Sequence, residues 1–130
     1  MPDPISPVIH TDTVSVFLGD AVAILPQLEA GSVDAIVTDP PYGLGFCDQD
    51  WDGAAGFRES LPDVDTSGMA DPDVFEAWCR AWAVGAVHVL KPGGHLVAFG
   101  GTRTWHRLVS GVEIAGLRSG ISSLHPSPHS

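Results

Sequence analysis

Four consecutive residues, Asp39-Pro40-Pro41-Tyr42, carry the clearest chemistry in the chain. A carboxylate at Asp39 is an acceptor without donors. Pro40 has a fixed φ and a carbonyl with no N–H on its own residue to compete for it, and Pro41 stiffens the same turn. Tyr42 presents a flat ring with a polar tip. Together they form a rigid double acceptor beside a stacking platform, which suits a planar group bearing an –NH2, such as a nucleobase amine. A Pro-Pro turn can also do no more than end a strand. At average residue usage, however, this tetrapeptide is expected roughly once in a thousand chains of this size, and it directly follows a strand-like run.

That run is Val33-Asp34-Ala35-Ile36-Val37-Thr38, β-branched at its centre and expected to be buried on both faces, as in a parallel sheet. The two prolines cannot donate ladder hydrogen bonds, so the strand must stop there. Upstream, residues 14–18 read as a strand closed by Gly19-Asp20, and residues 21–28 as a helical face (Ala21, Ile24, Leu25, Leu28) distorted by Pro26. Downstream, residues 43–70 form a long acidic loop, of a length usually associated with function or disorder. Asp71-Pro72 predicts a helix start, with Asp71 as N-cap and Pro72 in the first helical position. Phe75, Trp78, Cys79, Trp82, Ala86, Val89 and Leu90 then share one face, and Pro92-Gly93-Gly94 ends the helix. Residues 95–101 read as the next strand and 102 to about 117 as another helix. This alternation predicts a doubly wound α/β fold, with ligands gathering at the carboxyl edge of the strands. Residues 1–13 read as a flexible arm and 118–130 as a disordered tail, leaving 14–117 as the folded unit.

Composition narrows the classes. The chain has 130 residues, 44% of them hydrophobic and 17% charged. No apolar run approaches the roughly 18 residues of a membrane span, and the N-terminus does not read as a secretory signal. Cys47 and Cys79 make neither a metal pattern nor a disulfide framework, so a cytoplasmic setting is expected. The net charge is −10, unevenly spread: residues 1–79 hold 15 acids and one base, Arg58, while residues 80–130 hold five bases against Glu113. An acidic chain repels phosphate, so any contact with nucleic acid must come from a local site.

Gly100-Gly101-Thr102 reads as close strand-to-helix packing before an anion nest, because the Lys and spacing of a P-loop are missing. Trp78 and Trp82 read as core. Trp51 lies in the acidic loop, where it could touch a base or plug the loop. His88 and His95 are spaced too loosely for a metal site. Trp105 and His106 with Arg103 and Arg107 make a small basic-aromatic patch, explained equally by phosphate contact and by a solvated helix face.

Several stretches resemble the site-specific DNA amino-methyltransferases, which methylate adenine N6 or cytosine N4 using S-adenosylmethionine. They are Leu18-Gly19-Asp20-Ala21, residues 32–43 around Asp39-Pro40-Pro41-Tyr42, Trp51-Asp52, and residues 89–102 with Lys91-Pro92-Gly93-Gly94. The chain looks most like the circularly permuted subgroup of phage and prophage methylases, in which the catalytic motif comes first. The resemblance implies a Rossmann-like class I methyltransferase fold, mostly parallel and here incomplete. It implies double-stranded DNA as partner, with the target base flipped out of the duplex. Tyr42 would stack on that base, and Asp39 and Pro40 would accept from its amine. A leading Asp, rather than Ser, points to adenine N6. Asp20 and Asp39 are the cofactor-side residues it suggests, Asp20 toward the adenosine part. Methylation of RNA or of a protein amide is a distant third option.

The chain also departs from that family. No Phe-x-Gly-x-Gly-like cofactor loop and no basic recognition region follow, and residues 118–130 leave the family pattern abruptly, as a C-terminal truncation would. In the family strand order 3-2-1-4-5-7-6, residues 33–38 and 94–100 would be neighbours, while 14–18 would lack its partner and 33–38 would expose an apolar edge. Two readings are therefore expected to compete. One is a methyltransferase fragment, active when a second polypeptide supplies the absent half. The other is a non-catalytic remnant or interaction fragment, and for the isolated chain inactivity is the expectation.

Overall fold

The computed structural model describes residues 5–41, 54–61, 64–101 and 104–118. In chain order these form β1 (Ile9–His10), β2 (Ser15–Val16), α1 (Ala21–Ile24) running into a 3-10 turn at Leu25–Gln27, β3 (Val33–Thr38), α2 (Ala54–Glu59), α3 (Asp71–Val89), β4 (Leu90–Ala98) and α4 (Trp105–Ile114). The architecture is α/β, with helices packed beside a small parallel sheet made by β3 and β4.

The parallel pair follows the sequence logic. Ala35, Ile36, Val37 and Thr38 stand opposite His95, Leu96, Val97 and Ala98, and the ladder closes with the Phe99 N–H donating to the Thr38 carbonyl at 3.2 Å. At its start, Val33 pairs with Leu90 and Ala35 with His95, so residues 91–94 bulge out of β4. Pro92-Gly93-Gly94 therefore does not separate helix from strand as expected. Helix α3 stops at Val89, and the Pro and Gly residues sit in the bulge, where Pro needs no ladder partner and Gly93 adopts φ +79°. Across this bulge the Lys91 ammonium meets the Asp34 carboxylate at 2.9 Å.

Three other expectations are corrected. Residues 14–18 do not join the main sheet. Only Ser15–Val16 is a strand, paired antiparallel with Ile9–His10. A short turn suffices for such a hairpin, whereas joining a parallel sheet needs a long crossover. Thr11 builds the turn: its N–H donates to the Val14 carbonyl, and its hydroxyl oxygen accepts from the N–H groups of Thr13 and Val14. Second, the acidic stretch 43–70 contains a helix, α2. Third, β3 is not buried on both faces. Ile36, Leu96 and Ala98 pack on the core, while Val37 is 73% exposed and Val97 48% exposed on the opposite face. Helices among the described residues cover one side of the sheet, which leaves the other bare.

The core lies between α2, α3, α4 and the sheet. Phe57, Val74, Phe75, Cys79, Trp82, Ala83, Ala86 and Leu108 are its buried members. Pro72 opens α3 with Asp71 and Asp73 in the first turn, where negative charge favours the helix dipole; Ala70, one residue before the expected Asp71, is the N-cap. Helix α4 crosses α3 with its backbone almost in contact. A Cβ added at Gly111 would stand 2.8 Å from the Glu76 carbonyl oxygen and 2.9 Å from the Arg80 nitrogen. Arg107 fastens the crossing, 2.8 Å from Asp73 and 3.8 Å from Glu76.

Cys79 lies within this crossing. Burial, aided by the charge of Glu76, pushes its thiol up to about 12. The thiolate is the reactive form, so at pH 8 the folded protein is expected to alkylate Cys79 roughly a thousandfold more slowly than the unfolded chain. Peptide mapping after iodoacetamide treatment, with and without urea, checks this. Equal rates would contradict the burial.

Candidate functional site

Parallel pairing brings the ends of β3 and β4 to one edge, so both outgoing segments leave side by side. Asp39-Pro40-Pro41 continues from β3, and Phe99-Gly100-Gly101 from β4. The Phe99–Thr38 hydrogen bond is the last rung before the turn and fixes where Asp39 begins. Asp39 is exposed, Pro40 is buried and Pro41 is half-buried. The corner is thus anchored by one packed proline ring while its carboxylate faces solvent, an arrangement able to accept hydrogen bonds from a ligand. Tyr42, the expected stacking ring, lies outside the described residues, as do Trp51, Thr102 and Arg103.

The Gly100-Gly101 turn leads into α4, with the Trp105 N–H donating to the Gly101 carbonyl at 2.9 Å. Gly101 is buried, and a Cβ added at Gly100 would meet Leu108 Cδ2 at 3.0 Å. Close strand-to-helix packing accounts for both glycines. The basic-aromatic patch is partly neutralised, because the Arg107 guanidinium is held by Asp73 and Glu76. Trp82 is buried. Trp78 stacks among Phe57, at 4.7 Å between ring centres, and Phe75, at 6.2 Å, as core residues do. His88 Nε2 lies 2.8 Å from the Leu28 carbonyl oxygen, tying the end of α3 to the turn before β3. Among the described residues no group of three or more His, Cys, Asp or Glu could hold a metal ion, and no helix is long and apolar enough to cross a membrane.

Asp20 stands just before α1 as its N-cap. Its Oδ1 accepts from the Val22 N–H at 2.9 Å, and its Oδ2 accepts from the Ser60 hydroxyl at 2.6 Å. Ser60 follows α2, 40 residues further along the chain, so sequence reading had no signal for it. Arg58 was legible only as the lone base among fifteen acids. In the fold its guanidinium donates to the Thr66 and Met69 carbonyls and lies 3.6 Å from Asp71, clasping residues 64–71 to α2. Phe57, beside it, inserts into the aromatic core.

An α/β pair of parallel strands with an acidic, proline-braced turn at its carboxyl edge defines the candidate site. The chain is 30% identical over 95 residues to the Type II methyltransferase M.BamHI of Bacillus amyloliquefaciens, a match covering 73% of this chain and 19% of that protein. It is 25% identical over 122 residues to the Type II methyltransferase M.HindIII of Haemophilus influenzae, covering 78% of this chain and 39% of that protein. These likenesses support kinship with methyltransferases. The chain spans about a fifth and about two fifths of the length of these two curated relatives. No family model matches, and no solved structure matches.

Proposed function

We propose that this chain belongs to a DNA methyltransferase that moves a methyl group from S-adenosylmethionine to the exocyclic amine of a flipped base, most specifically adenine N6. The observation that carries the reading is the exposed Asp39 carboxylate on a turn braced by the buried Pro40, at the carboxyl edge of the parallel pair. The likeness to two Type II methyltransferases supports it. So does the base-amine chemistry of a rigid double acceptor.

In this reading the Asp39 carboxylate and the Pro40 carbonyl each accept one amine hydrogen. Accepting both pulls the nitrogen toward sp3 and aims its lone pair, so catalysis is mainly positioning. Tyr42 stacks on the extruded base, replacing part of the stacking lost from the duplex. The cofactor would supply a methyl group from its sulfonium, the S–CH3 bond breaking to leave a neutral thioether as the N–CH3 bond forms, and the proton shed by the amine would pass to the Asp39 carboxylate or to solvent. Asp20 fits the adenosine side of such a molecule: it is exposed, and a carboxylate has about four lone-pair sites, of which the described residues occupy one on each oxygen. Because the chain as a whole is acidic, phosphate contacts would have to come from a local basic site.

One observation favours a second reading, that of a remnant keeping the catalytic turn without a working cofactor pocket: among the described residues no helix covers the sheet face bearing Val37 and Val97. Calorimetric titration with S-adenosylmethionine separates the two. Saturable binding supports the methyltransferase reading, and its absence supports the remnant.

A further inference from the structure

We propose that Ser60 is a positioning residue for cofactor binding, acting through the Asp20 carboxylate; this rests on the reading of Asp20 as the adenosine-side contact. The geometry is specific. Asp20 receives a backbone N–H on Oδ1 and the Ser60 hydroxyl on Oδ2, at 2.9 and 2.6 Å. The second distance is that of a charge-assisted O–H···O⁻ bond. One donor on each oxygen fixes both the tilt and the rotation of the carboxylate plane, which a single cap bond leaves free to turn about χ2. Among the described residues no other donor reaches either oxygen, and Asp20 is exposed. Such a carboxylate is prepared to accept from two neighbouring hydroxyl groups, the pattern of a ribose diol. Holding it in place beforehand removes an ordering cost from binding.

Ser60 is itself placed by the rest of its segment. The Ser60 N–H donates to the Gly56 carbonyl at 3.2 Å, continuing α2. Phe57 anchors that helix in the core, and Arg58 clasps it to residues 64–71. Ser60, at the end of α2, thus reaches the acceptor at Asp20.

The test is titration of S-adenosylmethionine into the unaltered protein, Ser60→Ala, Ser60→Thr, Asp20→Asn and the Ser60→Ala/Asp20→Asn double variant, with melting temperatures measured alongside. Ser60→Ala is expected to weaken binding about tenfold, the scale of one hydrogen bond to a charged group. Ser60→Thr, which keeps the hydroxyl, is expected to stay within about twofold of the unaltered protein, and the Ser60→Ala effect is expected to vanish in the Asp20→Asn background. A role confined to docking α2 would lower the melting temperature without this coupling. Unchanged affinity in Ser60→Ala, or an equal loss in both backgrounds, overturns the inference and leaves the reading of Asp20 standing. Unchanged affinity in Asp20→Asn, or no binding by the unaltered protein, overturns that reading and the inference with it.

Discussion

Asp39→Ala is expected to abolish methyl transfer in any form of the protein competent for it, by about a thousandfold or more, while changing the affinity for S-adenosylmethionine by less than about tenfold. The split follows from where the residue stands. Asp39 is exposed at the carboxyl end of β3, and no bond within the described residues ties its side chain to the core, so its removal leaves the fold intact. What is lost is an acceptor for the amine, an interaction that strengthens as the nitrogen rehybridises in the transition state. Asp39→Asn keeps one acceptor oxygen but replaces the other with a donor, which faces the amine donor-to-donor. It is expected to retain a few per cent of turnover at most. Single-turnover rates and equilibrium titration on the same preparations separate the two effects. Near-normal turnover in Asp39→Ala would remove the residue from the mechanism.

Phe57→Ala is expected to carry the largest cost in stability, about 3–5 kcal/mol, the usual range for deleting a buried phenylalanine ring. Phe57 is 2% exposed, with Phe75 at 5.4 Å and Trp78 at 4.7 Å between ring centres. Domains hold only about 5–15 kcal/mol in total, so this one truncation brings folding close to its limit. It also frees α2, and with it Ser60 and the Arg58 clasp. Phe57→Leu preserves most of the apolar volume and is expected to recover more than half of the loss. Urea titration monitored by tryptophan fluorescence measures both, through Trp78 and Trp82 in the same cluster. A cost below about 1 kcal/mol for Phe57→Ala would mean that α2 does not pack on α3.

The sequence reading was strongest where local pattern and tertiary need agreed. The β-branched centre of residues 33–38 and the prolines after it marked β3 and its end, and the Asp-Pro start with its apolar face marked α3. The parallel pairing of these strands came with the resemblance and is the one in the structure. The hairpin was hidden because two-residue strands at Ile9–His10 and Ser15–Val16 are too short for alternation to register. Helix α2 was hidden because Ala54–Glu59 sits among Gly and Asp residues and depends on a distant aromatic cluster. The start of β4 is not legible in the sequence because Pro92-Gly93-Gly94 stops most elements, and here loops out of a strand instead. At the candidate site Asp39 and Pro40 were legible from residue chemistry alone. Ser60 was not, because its meaning lies in Asp20, 40 residues away. The one-sided cover of the sheet was not read from β3 itself, since a β-branched run looks alike whether one face is packed or two.

The most direct measurement is the identity of the methylated atom. Unmethylated duplex DNA is incubated with a competent form of the protein and S-adenosylmethionine labelled in its methyl group, and the DNA is digested to nucleosides. Label is expected in N6-methyl-2′-deoxyadenosine and is lost in Asp39→Ala. Label on a ring carbon such as cytosine C5, or label on adenine that survives Asp39→Ala, would contradict this expectation, because neither outcome needs an acceptor corner gripping an amine.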